Sequence, residues 1–224
     1  MSCKIKICGI TNLDDALAAL EAGADYLGLI FAQSSPRRVE SDMAKEIIAG
    51  VSGRAQIVGV FKDQDIEYVS ELAISLKLDY VQCHGKETVE YARRLPAKVI
   101  KVLELEAGAA ASIPSIPALV SIAQEWTDDA HFLLFDRPKL LSDPDWYRRA
   151  VEEILGAQPL SLPYFFAGGL SAENVGEVVE ALQPFAVDVA SSVESSPGKK
   201  DISKMNDFCN AVKRDSGGVS ACAH

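Results

Sequence analysis

Cys8 closes the apolar run Ile5-Lys6-Ile7, and Asp136 closes the run Phe132-Leu133-Leu134-Phe135. If both runs are parallel strands of one barrel, a thiol and a carboxyl group project into the same mouth. Such a pair suits isomerisation by proton transfer, where one group removes a proton and another supplies one. A base at position 8 has to work as the thiolate, and a free thiol titrates near ~8.5, so its surroundings must favour ionisation. An acid at position 136 needs the reverse, and the apolar residues before it disfavour a carboxylate. Both residues also have plain readings. Cys8 is small enough to be core filling, and Asp136 could cap a helix or pair with Arg137.

Two further groups could hold an anion. Arg37, in the stretch Ser34-Ser35-Pro36-Arg37-Arg38, carries a guanidinium fork that matches a carboxylate, and His84 can add a donor. Gly168 and Gly169 follow the seventh apolar run, and Ser191 and Ser192 follow the eighth. In a barrel these are the usual phosphate-binding places, where glycine lets backbone amides approach an oxyanion without a lysine. A plain left-handed turn is the other reading of the double glycine.

The elements that must position these groups are legible as an alternation. Short apolar runs begin near Lys4, Tyr26, Gln56, Tyr80, Lys98, His131, Pro163 and Phe185, with amphipathic stretches between them. Asp14 to Ala22 and Ala172 to Leu182 have helical spacing, and Asn12, Ser41, Asp63 and Ser171 are the expected N-caps. Eight strand–helix units in 224 residues predict an α/β fold, a single (β/α)8 TIM barrel with parallel strands. An open doubly wound sheet lacks support, since no GxGxxG follows the first strand. In the fifth unit the prolines at 114 and 117 delay the predicted helix to about Ala118. The expected boundaries are a catalytic barrel over 1–215 and a small, polar, flexible tail over 216–224.

Composition excludes some partners. A net charge of −10 disfavours nucleic acid and acidic membranes. An anionic ligand must therefore find its counter-charges inside the pocket. No apolar stretch approaches the roughly 18 residues of a membrane span, and Lys4 and Lys6 interrupt the first apolar run, so no signal peptide is expected. Five cysteines without a CxxC pair or zinc spacing predict reduced thiols, a cytoplasmic protein and no metal site.

Taken together, the runs Lys6-Ile7-Cys8-Gly9-Ile10-Thr11-Asn12, Ser35-Pro36-Arg37 with Val39, Val58-Gly59-Val60-Phe61, and Val81-Gln82-Cys83-His84-Gly85 resemble one family. Leu134-Phe135-Asp136, Ala167-Gly168-Gly169-Leu170 with Glu173-Asn174-Val175, and Val187-Asp188-Val189 through Val193-Glu194 to Pro197-Gly198-Lys199-Lys200-Asp201 continue the match. It is phosphoribosylanthranilate isomerase, of tryptophan biosynthesis, and the similarity spans nearly the whole chain. It implies a cofactor-free Amadori rearrangement of a small-molecule phosphoribosyl substrate by a monomer or homodimer. In that reading Asp136 is the general acid and Cys8 the base. Arg37 and His84 hold the anthranilate carboxylate, Asp188 contacts sugar hydroxyls, and Gly168, Gly169, Ser191 and Ser192 surround the phosphate.

Two positions depart from the family's pattern. The segment from Arg137 to Pro144 has two prolines and no glycine, where a glycine-rich loop is usual, and Ala190-Ser191-Ser192 stands for Ser-Ser-Gly. Other phosphosugar barrels, such as a ribulose-phosphate epimerase or an indole-glycerol-phosphate synthase, leave the Cys8 motif without a role. A barrel that only binds phosphoribosyl ligands has no physical need of an acid and a base.

Overall fold

The structure is a computed structural model, which describes residues 2–104, 116–137, 144–157 and 160–215. Eight strands close a barrel in sequence order: β1 (Lys4–Cys8), β2 (Tyr26–Ile30), β3 (Gln56–Phe61), β4 (Tyr80–Cys83), β5 (Lys98–Glu104), β6 (Phe132–Asp136), β7 (Tyr164–Phe166) and β8 (Ala186–Val189). All neighbours are parallel, and β8 pairs back onto β1. The helices are α1 (Leu13–Ala22), α2 (Ser41–Val51), α3 (Ile66–Ser75), α4 (Val89–Arg93), α5 (Ile116–Glu125), α6 (Pro144–Ala157), α7 (Val175–Leu182) and α8 (Ile202–Asp215). After β8 a 3-10 turn (Ser191–Val193) leads into a hairpin of β9 (Glu194–Ser196) and β10 (Lys199–Lys200), which the apolar periodicity did not show.

Strand alternation divides the apolar residues into two cores. Ile5, Ile7, Leu27, Leu29, Val81, Cys83, Leu133 and Phe135 face outward onto the helices. The lumen is filled by Tyr26, Val58, Val60, Tyr80, Ile100, Val102, Phe132, Leu134, Phe165 and Ala167. Strand register sorts the inward residues into layers from alternate strands. Tyr26, Tyr80, Phe132 and Ala186 make the floor, where the aromatic rings contact one another edge-on or tilted. Above it lie Lys6, Val58, Ile100 and Phe165, then Gly28, Gln82, Leu134 and Asp188, then Cys8, Val60, Val102 and Ala167. On the β8–β1 side the lumen holds Lys6, Asp188 and Cys8 in three successive layers, and the opposite side is apolar except for Gln82 on β4.

Several local expectations shift. Asn12 caps α1 by accepting from the Asp15 amide. Ser41 lies inside α2, whose N-cap is Glu40. Asp65, not Asp63, caps α3. Asp63 takes a left-handed φ of 54° and accepts the Lys86 amide, tying the loops after β3 and β4 together. The last-but-one helix starts at Val175, with Asn174 bonded back to Ser171 and Gly169. Helix α5 starts at Ile116, because Pro117 falls in its first turn, where a missing N–H breaks no helical bond. The glycine-free segment after Arg137 and the 216–224 tail lie, in their particulars, outside the described residues.

Candidate active site

Cys8 ends β1 and points into the mouth of the lumen, 7% exposed. Its sulfur rests on β2 at Gly28, where an added Cβ would come 2.6 Å from Sγ. Only glycine leaves room for the thiol there. Lys6, two residues earlier on the same face, is fully buried, and its ammonium bonds Asp188 Oδ2 at 2.9 Å. The Lys6 charge, on the same face of β1, favours the Cys8 thiolate. Lys200 reaches in from β10 to the Cys8 carbonyl at 2.7 Å. Burial pushes the Cys8 thiol up; Lys6 pulls it down, Asp188 pushes it up and Lys200 pulls it down, and the balance stays raised. At rest near neutrality Cys8 is a thiol.

Asp136 ends β6 at the same mouth. Its Oδ1 accepts the Arg137 amide at 2.7 Å, and its Oδ2 stands 3.5 Å from His84 Nε2. On the other side of the ring, Gln82 Nε2 lies 3.4 Å from Nδ1. A side-chain amide nitrogen only donates, so Nδ1 accepts and Nε2 carries the proton that faces Asp136. Burial pushes His84 down, so the ring is neutral at physiological pH. His84 thus stands between Asp136 and Gln82.

Arg37 follows β2, and its stem lies over Gly9, where an added Cβ would fall 2.7 Å from Cδ. Its Nε and Nη2 bind Glu194 Oε1 and Oε2 at 2.8 and 2.7 Å. Lys200 Nζ also bonds Glu194 Oε1, at 3.0 Å. Burial pushes the Glu194 carboxyl up, but the Arg37 hydrogen bonds and the Lys200 charge hold it below its ordinary value. Nη1 of Arg37 is left to meet a second carboxylate, so the cluster of two cations and one anion keeps a net positive charge.

Gly168 and Gly169 form a left-handed turn with φ of 90° and 77°. Arg137 closes over it: a Cβ on Gly168 would sit 2.5 Å from Arg137 Cβ, and the guanidinium borders Gly169. Ser192 donates its hydroxyl to the Leu170 carbonyl and so joins the loops after β7 and β8. That proton is spent on the loop closure, while Ser191 is exposed. Two buried oxygens in one layer of the lumen, Gln82 Oε1 and Asp188 Oδ1, have no hydrogen-bond partner. Among the described residues, no group of three or more His, Cys, Asp or Glu could hold a metal ion.

The sequence assigned no role to Lys6, Gln82, Glu194 or Lys200. Lys6 had a signal, since period two puts it on the Cys8 face of β1. The other three needed the tertiary fold.

A closed parallel barrel with a thiol and a carboxyl at the strand ends, an arginine beside them and a glycine turn after β7 has the layout of an isomerase barrel. The family model described as N-(5'phosphoribosyl)anthranilate (PRA) isomerase matches residues 5–211. The N-(5'-phosphoribosyl)anthranilate isomerase of Geobacter metallireducens is 38% identical over 214 residues, covering 94% of this chain and 98% of the relative. A phosphoribosyl anthranilate isomerase solved with reduced 1-(o-carboxyphenylamino)-1-deoxyribulose 5-phosphate superposes with a TM-score of 0.80 at 31% identity, covering 95% and 99% of the two chains. Monomers made from the dimeric enzyme of Thermotoga maritima superpose with a TM-score of 0.76 at 30% identity, covering 95% and 99%. The chain belongs to the N-(5'-phosphoribosyl)anthranilate isomerase family, the enzymes that isomerise phosphoribosylanthranilate in tryptophan biosynthesis.

Proposed function

We propose that the chain converts N-(5′-phosphoribosyl)anthranilate into 1-(o-carboxyphenylamino)-1-deoxyribulose 5-phosphate by general acid–base catalysis without a cofactor. Asp136 donates a proton to the furanose ring oxygen, the ring opens, and the resulting Schiff base makes the C2′ proton acidic. Cys8 removes that proton, and the enolamine collapses to the aminoketose. The observation that carries this reading is the placement of Cys8 and Asp136 at the ends of β1 and β6, facing one mouth, with His84 set against Asp136.

The remaining residues divide the substrate. The free end of Arg37 takes the anthranilate carboxylate, with its fork oriented by Glu194. His84, which stands beside Asp136, joins Arg37 in holding that carboxylate. Asp188 offers an unpartnered oxygen to a sugar hydroxyl. The amides of Gly168 and Gly169, Ser191 and the loop tied by Ser192 receive the phosphate, and Arg137 supplies a guanidinium at that turn. That cation offsets the hydroxyl and glycine which the Ala190-Ser191-Ser192 sequence lacks. Residues 1–215 act as the catalytic domain and 216–224 as a tail, in a cytoplasmic monomer or homodimer with no nucleic-acid or membrane partner. Among the described residues no helix is long and apolar enough to cross a membrane.

The test is fluorescence-followed turnover of freshly made substrate by wild type, Cys8→Ser and Asp136→Asn. Both variants are expected to lose orders of magnitude in kcat while still binding a reduced product analogue. Retained turnover in either variant removes that residue from its role.

A further inference from the structure

Lys6 is the largest buried cation in the lumen that the proposed chemistry leaves idle. It lies one layer below Asp188 and two below Cys8, with no exposed surface. A buried ammonium costs several kcal/mol in desolvation, and one carboxylate partner at 2.9 Å rarely does more than offset that. An apolar pair would fill the space as well. What an apolar pair cannot do is balance a third group that becomes charged. That third group is on the same strand face: Cys8 stands two residues on from Lys6 in β1, and β8 brings Asp188 alongside in the layer between them.

We propose that Lys6 is a positioning residue of this active site: pinned by Asp188, its ammonium is the counter-ion of the Cys8 thiolate, and the unpartnered oxygen of Asp188 couples that counter-ion to a hydroxyl of the bound sugar. The inference rests on the assignment of Cys8 as the base. Asp188 Oδ2 holds Lys6, while Oδ1 is buried, inward-facing and unpartnered. A sugar hydroxyl donating to Oδ1 draws negative charge away from the carboxylate. Lys6 is then held less tightly by Asp188 and stabilises the sulfur anion more. The base forms when the sugar is in place and reverts to the thiol when it leaves.

The other charges that face the sulfur do not do this. Lys200, from β10, bonds the Cys8 and Ala190 carbonyls, and both it and Arg37, from the loop after β2, are tied to the same carboxylate of Glu194. Asp136 and His84, from β6 and β4, act on Asp188 across the mouth and only at a distance on the sulfur. Lys6 and Asp188 are the pair whose balance a ligand can change.

The two partners push the thiol in opposite directions, and this gives a test with opposite signs. The rate of Cys8 modification by a small methanethiosulfonate, read at the Cys8 peptide by mass spectrometry, follows the thiolate fraction at fixed pH. Lys6→Met is expected to slow modification about tenfold, equivalent to roughly one unit of thiol pKa, with the loss recovered as pH is raised. Lys6→Arg keeps the charge and is expected to stay within a few-fold of wild type. Asp188→Asn is expected to accelerate modification, yet to lower kcat/KM. A merely structural pair would move both variants the same way, and parallel changes would overturn the proposal. If Lys6→Met does not fold, the double variant Lys6→Met/Asp188→Asn leaves no unpaired buried charge; it must be modified more slowly than Asp188→Asn alone. Cys8→Ser separates the two levels: full turnover in that variant ends the base assignment, whereas lost turnover with unmoved modification rates ends only the role of Lys6.

Discussion

Glu194→Gln tests whether a single carboxylate holds the anion-binding side of the site together. Glu194 is 4% exposed and accepts from Arg37 at 2.7 and 2.8 Å, from Lys200 at 3.0 Å and from the Gly198 amide at 3.3 Å. At these distances each ion contact is worth about 6 kcal/mol at an effective dielectric of ~20, before desolvation. Desolvation cancels much of that, and removing one partner of a buried pair costs about 3–5 kcal/mol in practice, since the orphaned charges remain. Lys200 is fully buried and Arg37 only 15% exposed, so neither can retreat to water. Glu194→Gln should therefore lower the urea-unfolding free energy by about 3–5 kcal/mol and the Tm by about 6–20 °C. KM should rise roughly tenfold, with a smaller change in kcat, because Arg37 loses its orientation and not its charge. The linkage sign follows from the lowered carboxyl. The Glu194 contribution is complete above the unfolded value of ~4.3 and is lost as pH falls through the lowered folded value. The gap between wild type and variant should shrink at acid pH. A variant within 1 kcal/mol of wild type (about one pKa unit) with an unchanged KM would refute the clamp.

Gly28→Ala would drive a methyl into the Cys8 sulfur, so kcat should fall about a hundredfold from a misplacement of ~1 Å, against a stability loss of only about 1–3 kcal/mol; near-normal kcat would show that the sulfur has room to move. Arg137→Met should weaken a phosphorylated product analogue about tenfold and leave its dephosphorylated form unaffected, as read by calorimetry; equal losses would place Arg137 outside the phosphate contacts. His84, whose imidazole burial lowers, binds fewer protons folded than unfolded. Its stabilisation is complete above ~6.5 and lost as pH falls through its lowered value, so His84→Asn should flatten the decline of unfolding free energy just below that pH. His131, also lowered by burial, accounts for the slope that remains.

The barrel was readable because apolar runs and helical spacing repeat eight times. Five strands begin at the expected residue, and β6, β7 and β8 begin one later, at Phe132, Tyr164 and Ala186. Cap positions failed where a local polar residue had a tertiary use, as with Asp63, which serves the next loop and not its own helix. Cys8 and Asp136 stood out because reactive groups ended apolar strands. Their supports did not, since the value of Glu194 or Lys200 lies in contacts made 157 and 192 residues away. His84 shows a finer limit: its position at a strand end was legible, but its place between Asp136 and Gln82 required the ring's orientation.

The pairing of Lys6 with Asp188 spans 182 residues and crosses the seam where the first strand meets the last. The lumen charge is therefore balanced only when the ring closes. A chain still emerging from the ribosome holds Lys6 and Arg37 near its start, with their carboxylate partners, Asp188 and Glu194, still unmade. These pairings are completed only by the final strand and hairpin, so the site depends on topological completion as much as on local geometry. Any fragment or rearranged chain that leaves the β1–β8 seam open will keep its motifs and lose its chemistry.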